Sequence, residues 1–184
     1  MGITNAFKDV IRTIIGEVPT KKLIKRGLKV GKNFTRQQGC FIDPTHCWLV
    51  SIGDNVTFSI RVTILAHDAS TKIATGYTEI GRVSIGNNVF VGANTTILPN
   101  INIGNNVIIG SNSVVTKNIP DNCVVAGNPA RIIRSLEEFN LKTNERFRNS
   151  RKFSNDYTTR GNLTNSKKTE MLEYLANNQC GFIE

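Results

Sequence analysis

The chain has 184 residues, a formal net charge of +9, 39% hydrophobic residues, 7% aromatic and 20% charged. This composition excludes wholesale disorder and a collagen-like chain, and it calls for an aliphatic core. No apolar run approaches the roughly 20 residues that cross a bilayer, and Asp9 and Glu17 interrupt the N-terminal stretch as a leader, so a cytoplasmic protein is expected.

In chain order, Phe7, Val10, Ile11, Ile14 and Ile15 fall at the spacing of an amphipathic helix that Gly16 and Pro19 stop. Residues 1–27 are read as this helix and a linker. Lys8, Arg12, Lys21, Lys22, Lys25, Arg26, Lys29, Lys32 and Arg36 crowd this end, a pattern that usually marks a solvated face. Its basic, amphipathic character also suits peripheral contact with an anionic membrane, or a cap over an open sheet edge. The basic stretches lack the interleaved aromatics that stack bases, so nucleic acid is not an expected partner. Cys40, Cys47, Cys123 and Cys180 form no CxxC pair and read as reduced thiols.

The dominant signal is a repeat of six. Ile85, Val91, Ile97, Ile103, Ile109 and Val115 recur at every sixth position, with glycine after four of them, and Ile52, Phe58 and Ile64 carry the same phase upstream. A small or β-branched residue follows four positions on: Val89, Thr95, Ile101, Val107, Ser113, Ile119. A period of six is neither helical nor a plain alternating strand. It predicts a short extended stretch and a corner, three such units closing one triangular coil, with coils stacked at about 4.8 Å. Glycine after the aliphatic residue, and the pairs Asn87-Asn88 and Asn105-Asn106, suit corners of cramped or positive backbone angle.

Two breaks interrupt the register. Between Ile42 and Ile52 the phase shifts through DPTHCWLVS, and from Ile64 to Ile85 there is a step of 21 residues. The second break, residues 68–82, is polar and is expected to stand off the prism as a loop. After the prism, Ser135 followed by Glu138 reads as a capping box. A last helix is expected from about Lys167 to Asn177, with Met171, Leu172 and Leu175 on one face and a polar, basic linker before it.

His67 closes the last hexad before the loop, which puts an imidazole at the prism surface. Position alone leaves it equally a general base or an ordinary surface histidine. Asp43, His46 and Trp48 occupy the other break, where His46 could pack on the surface and Trp48 could plug the interior.

The hexad, His67 and the string AGNPAR from Ala126 to Arg131 together resemble the hexapeptide-repeat acyltransferases of the galactoside, maltose and chloramphenicol type. The resemblance implies a mainly β fold, a left-handed parallel β-helix over residues 28–134, with residues 135–184 as a C-terminal helical extension. It implies acetyl-CoA as cosubstrate, His67 as general base, and Phe90, Ala93, Ser111, Thr116, Lys117, Arg131 and Arg134 on the cofactor side. Asp43, His46 and Asp68 are its candidates for the acceptor side. It further implies a homotrimer with sites between neighbouring prisms. The expected activity is O-acetylation of a sugar or polysaccharide hydroxyl, with N-acetylation of an amino sugar nucleotide or another small amine as the alternative. The chain follows His67 with Asp68 where the galactoside and maltose members have proline, which leaves the acceptor open. No metal is expected: a carbonic anhydrase on this scaffold needs three imidazoles at one zinc, and the chain has two, on different coils.

Overall fold

The computed structural model describes residues 17–184, so the amphipathic helix expected over Phe7–Ile15 lies outside the described residues. The chain divides into two compact units, one ending at Leu136 and the other running from Glu137 to Glu184.

The first unit winds around a triangular axis. Strands β1 (Lys29–Val30), β2 (Thr35–Arg36) and β3 (Phe41–Ile42) make the first coil, and β4 (Val50–Ile52), β5 (Thr57–Phe58) and β6 (Thr63–Ile64) the second. After an excursion containing β7 (His67–Asp68) and β8 (Glu79–Ile80), the third coil is β9 (Val83–Ile85), β10 (Val89–Val91) and β11 (Thr96–Ile97). The fourth is β12 (Ile101–Ile103), β13 (Val107–Ile109) and β14 (Val114–Val115), followed by β15 (Cys123–Ala126) and β16 (Arg131–Ser135). Like strands of successive coils pair in parallel and build three sheets: β1-β4-β9-β12, β2-β5-β10-β13-β15 and β3-β6-β11-β14. Strand β16 turns back antiparallel on β15 and covers the last edge of the second sheet.

The register is the hexad made spatial. Ile52, Ile85 and Ile103 stack in one interior column, Phe58, Val91 and Ile109 in the second, Ile64, Ile97 and Val115 in the third. The six residues of the repeat from Ile85 to Val115 are each at most 3% exposed. The second inward position holds Thr95 and Ser113, whose hydroxyls donate to the Gly110 carbonyl at 3.2 and 2.6 Å and so cost the core no unpaired polar group.

Corner chemistry divides the labour within each Asn pair. Asn33, Asn55, Asn88, Asn106 and Asn122 all have φ between +55° and +59°, and their side-chain amides form a ladder with steps of 2.9 to 3.0 Å. Asn87 and Asn105 keep ordinary angles and instead accept from the backbone N–H of Asp54 and Asn87. Gly86 also has no positive φ. It is glycine because a Cβ there would lie 2.6 Å from the Gly104 carbonyl oxygen of the next coil.

Three expectations need correction. Arg36 is not part of a solvated face. It occupies an interior slot beside Phe58, 7% exposed, with its guanidinium donating to the carbonyls of Cys40 and Val18. Trp48 is no interior plug, since the short 3-10 turn Cys47–Leu49 buries Cys47 and leaves the indole 54% exposed. The basic stretch before the last helix is not a bare linker. It contains β17 (Lys152–Phe153), which pairs in parallel with β18 (Phe182–Ile183), and Phe153 is buried against the rings of Tyr157 and Tyr174. An aromatic anchor in a polar segment organises it despite the composition.

Two short helices lie in segments expected to be a linker and a loop, and the helices of the second unit lie where expected. Helix α1 (Thr20–Lys25) buries Leu23, and the excursion after β7 includes one turn of helix α2 (Lys72–Thr75) that Gly76 ends at φ +75°. In the second unit α3 (Leu136–Asn149) begins directly after Ser135, and α4 (Asn165–Ala176) is capped by Thr164, which accepts from the Lys167 N–H. Leu172 and Leu175 remain exposed on α4.

Candidate functional site

Both register breaks open at the same corner of the prism. Strand β3 leads into residues 43–49, and β6 leads into residues 65–82; because Ile42 pairs with Ile64, the two departures start side by side. The Asp43 N–H donates to the Ile64 carbonyl at 3.0 Å, so the carboxylate of one break is held beside the strand that delivers His67 in the other.

Asp43 is fully buried, and five donors surround it. Oδ1 accepts from the Thr45 hydroxyl at 2.7 Å, the Thr45 N–H at 3.0 Å and the His46 N–H at 3.2 Å. Oδ2 accepts from the Ala66 N–H at 3.2 Å and from His67 Nδ1 at 2.5 Å. Burial alone would push this carboxyl up, but the hydrogen bonds from His67, Thr45 and Ala66 outweigh it and hold it below the ordinary carboxylate value. An ionised Asp43 only accepts, so the hydrogen between it and His67 sits on Nδ1, and in the neutral ring the lone pair is on Nε2. The His67 side chain keeps 33% of its surface exposed.

Asp68, next to His67 in the chain, does not orient the ring: its carboxylate accepts from the Ser70 N–H at 2.9 Å and caps the turn that follows. These bonds lower its pKa, chiefly through Ser70. The orienting carboxylate is Asp43 instead, 24 positions upstream. The two histidines, read as separate because they lie on different coils, have ring centroids 5.1 Å apart. Asp43, His46 and His67 place potential ligand atoms within 4.8 Å of one another. A cation there would have to displace hydrogen-bond donors that already fill both Asp43 oxygens, so the arrangement fits a buried anion stabilising an imidazole better than a metal cage.

The cofactor-side candidates fall on two edges. Ala93 and Ser111 lie at the corner between the second and third sheets on successive coils, tied by the Asn112 N–H donating to the Ala93 carbonyl at 2.8 Å. Thr116 and Lys117 are exposed and follow β14, on the same edge as His67. Phe90 points outward from β10, 44% exposed. Arg131 and Arg134 lie on β16, opposite Ala126 and Val124, with Arg131 exposed and Arg134 half-buried.

This three-sheet parallel β-helix matches the fold of the left-handed β-helix acetyltransferases. Residues 82–117 match the bacterial transferase hexapeptide model of six repeats. Protein CapG of Staphylococcus aureus is 43% identical over 72% of this chain and 74% of its own length. Among solved structures, a maltose O-acetyltransferase from Clostridium difficile 630 superposes with a TM-score of 0.52 and 40% identity, over 59% of each chain. A hexapeptide-repeat acetyltransferase from Vibrio cholerae O1 biovar eltor, complexed with acetyl coenzyme A, has a TM-score of 0.53 and 26% identity over 60% of this chain and 61% of that one. The chain thus spans about three-fifths of these two structures. It belongs to the hexapeptide-repeat transferase family. Among the described residues no helix is long and apolar enough to cross a membrane.

Proposed function

We propose that the protein transfers an acetyl group from acetyl-CoA to a hydroxyl of a sugar or polysaccharide unit, with His67 as general base and Asp43 as its positioning residue. The observation that carries this reading is the 2.5 Å contact between His67 Nδ1 and the buried Asp43 carboxylate, with the His67 side chain partly exposed. His67 Nε2 takes the proton of the acceptor hydroxyl as its oxygen attacks the thioester carbonyl. Asp43 stabilises the resulting imidazolium. Collapse of the tetrahedral intermediate breaks the carbon–sulfur bond, and the imidazolium returns its proton to the leaving thiolate, giving the acetyl ester and free thiol. The thioester is already activated, so no covalent enzyme intermediate is needed. The names of the maltose O-acetyltransferase and of the acetyl-CoA complex support hydroxyl acceptor and acyl donor respectively.

Ala93 and Ser111 would hold pantetheine through main-chain groups, with Thr116 and Lys117 alongside, and Arg131 and Arg134 would meet the phosphates, since several negative charges call for cations and free N–H groups. Ala93 and Ser111 are one full sheet width away from the His67 edge of their own prism. That separation supports a homotrimer in which His67 of one copy faces the cofactor groove of the next. Thiol release from acetyl-CoA, followed with matched panels of hydroxyl and amino sugars, tests the proposal. Release with hydroxyl sugars that disappears in His67→Ala is expected. Release with amino sugars alone would move the chemistry to N-acetylation, and an unchanged rate in His67→Ala would remove the base.

A further inference from the structure

Three features beside the dyad are not used by general-base chemistry. The first is Trp48, the single tryptophan, with 54% of its surface exposed. Its backbone is nevertheless firmly seated. The neighbouring Cys47 is buried with its thiol on the Leu23 carbonyl at 3.5 Å, and a Cβ added to Gly27 would lie 2.8 Å from the Trp48 Cβ. A largely exposed indole on a seated backbone can serve as a platform for the apolar face of a flat ligand.

The second is His46. Its ring centroid is 5.4 Å from the indole and 5.1 Å from His67, so indole, imidazole and base form a row. The Thr45 hydroxyl spends its hydrogen on Asp43 Oδ1 at 2.7 Å, so at 3.0 Å from His46 Nδ1 the threonine oxygen accepts. Neutral His46 therefore carries its hydrogen on Nδ1 and keeps the Nε2 lone pair, an acceptor for a ligand hydroxyl.

The third is charge. The Arg26 guanidinium donates to the Pro44 carbonyl at 3.2 Å, which anchors a cation next to the Asp43 corner, and among the described residues this is the one side-chain hydrogen bond it makes. Exposed Lys22 and Lys25 precede it on α1. Of the acidic groups here, Asp43 has both oxygens enclosed by its donors, and Asp68 gives Oδ1 to Ser70.

We propose that Trp48, His46 and Arg26 form the acceptor subsite and that the acceptor is an anionic saccharide. One sugar ring stacks on Trp48, a hydroxyl donates to His46 Nε2, and the ligand's carboxylate or phosphate pairs with Arg26. This rests on the acetyl transfer to a sugar proposed above, and it names the class of sugar.

Trp48 is its own reporter. The full chain is titrated with trigalacturonate, with its neutral counterpart galactotriose and with UDP-galactose, following indole emission. A saturable response to trigalacturonate or UDP-galactose at a concentration about tenfold below that for galactotriose is expected, and the preference shrinks in Arg26→Gln. Which of the two anionic probes wins tells carboxylate from phosphate as the bearer of the charge. In thiol release, Arg26→Gln raises KM for the preferred acceptor about tenfold and changes kcat far less. Equal response to charged and neutral probes, or no saturable response to any, overturns the subsite. Selective emission changes without thiol release would sink acetyl transfer and leave the subsite standing, whereas thiol release without charge selectivity would do the reverse.

Discussion

The third and fourth coils and the corner after the third sheet were built from the same chain under opposite demands. Between Val83 and Val115 the hexad runs without interruption, each interior residue stacks on its equivalent, and asparagine amides bond from coil to coil. At residues 43–49 and 65–82 the register is abandoned twice in succession, and the candidate dyad forms between the two departures. A β-helix of this kind buries its hexad side chains in a filled interior, so polar chemistry must come from segments that leave the repeat. Placing two departures at one corner lets each coil contribute a half-site, while the uninterrupted coils supply the rigidity that holds the halves in register.

Substitutions should therefore divide cleanly between loss of turnover and loss of stability. The largest effect is expected for His67→Ala, which should lower kcat by about 10² to 10⁴ while the thermal midpoint barely moves. A midpoint that collapses with activity would erase the distinction between corner and coil. Ile97→Ala in the third interior column should cost about 2 to 5 kcal/mol in urea unfolding, with kcat of the folded fraction unchanged. Asp43→Asn should lower kcat about tenfold to a hundredfold, the worth of a charged hydrogen bond to the imidazolium, and Asp43→Glu should recover part of it only if the geometry tolerates one more methylene. Asn106→Ala removes two ladder bonds and puts alanine at φ +56°, for a cost of about 1 to 2 kcal/mol, whereas Asn106→Gly should lose less because glycine accepts that angle freely.

The smallest effect concerns acid. Asp43 is held below its ordinary value in the folded chain, so the unfolded chain binds its proton first as pH falls. Its contribution to stability is complete above the unfolded carboxyl range near 4 and is lost as pH drops through the lower folded value. Unfolding midpoints measured from pH 6 down to pH 2 should show a steeper acid loss for the native chain than for Asp43→Asn. Parallel curves would mean that the carboxylate is not stabilised by its five donors.

Much of this was legible in the primary structure because the hexad is a local rule. Ile85 through Val115 could be assigned to the interior one by one, since a period of six returns the same position to the inside on every side of the triangle. The placement of His67 at the edge followed from the same count. Asp43 was found as an acceptor candidate but not as the partner of His67, because nothing local links residues 24 apart. The signal lay in the breaks: Ile42 and Ile64 are out of phase by the count of six, but each ends a run of three hexads, Val30, Arg36, Ile42 and Ile52, Phe58, Ile64, so the segments that follow leave at one corner. Arg36 and Phe153 were misjudged for a related reason. A charge cluster and a polar stretch are averages over many residues, whereas burial is decided by the one side chain that meets a core.

Repetition determined the prism, its interior columns and its corners from sequence alone, since each hexad needs only its own six residues and a neighbour like itself. Stacking of unlike segments decided everything at the irregular corner: which carboxylate meets His67, where the second imidazole lies, and that the indole faces water. Those pairings are made by residues far apart in the chain, brought together only when the coils close, and no local pattern records them.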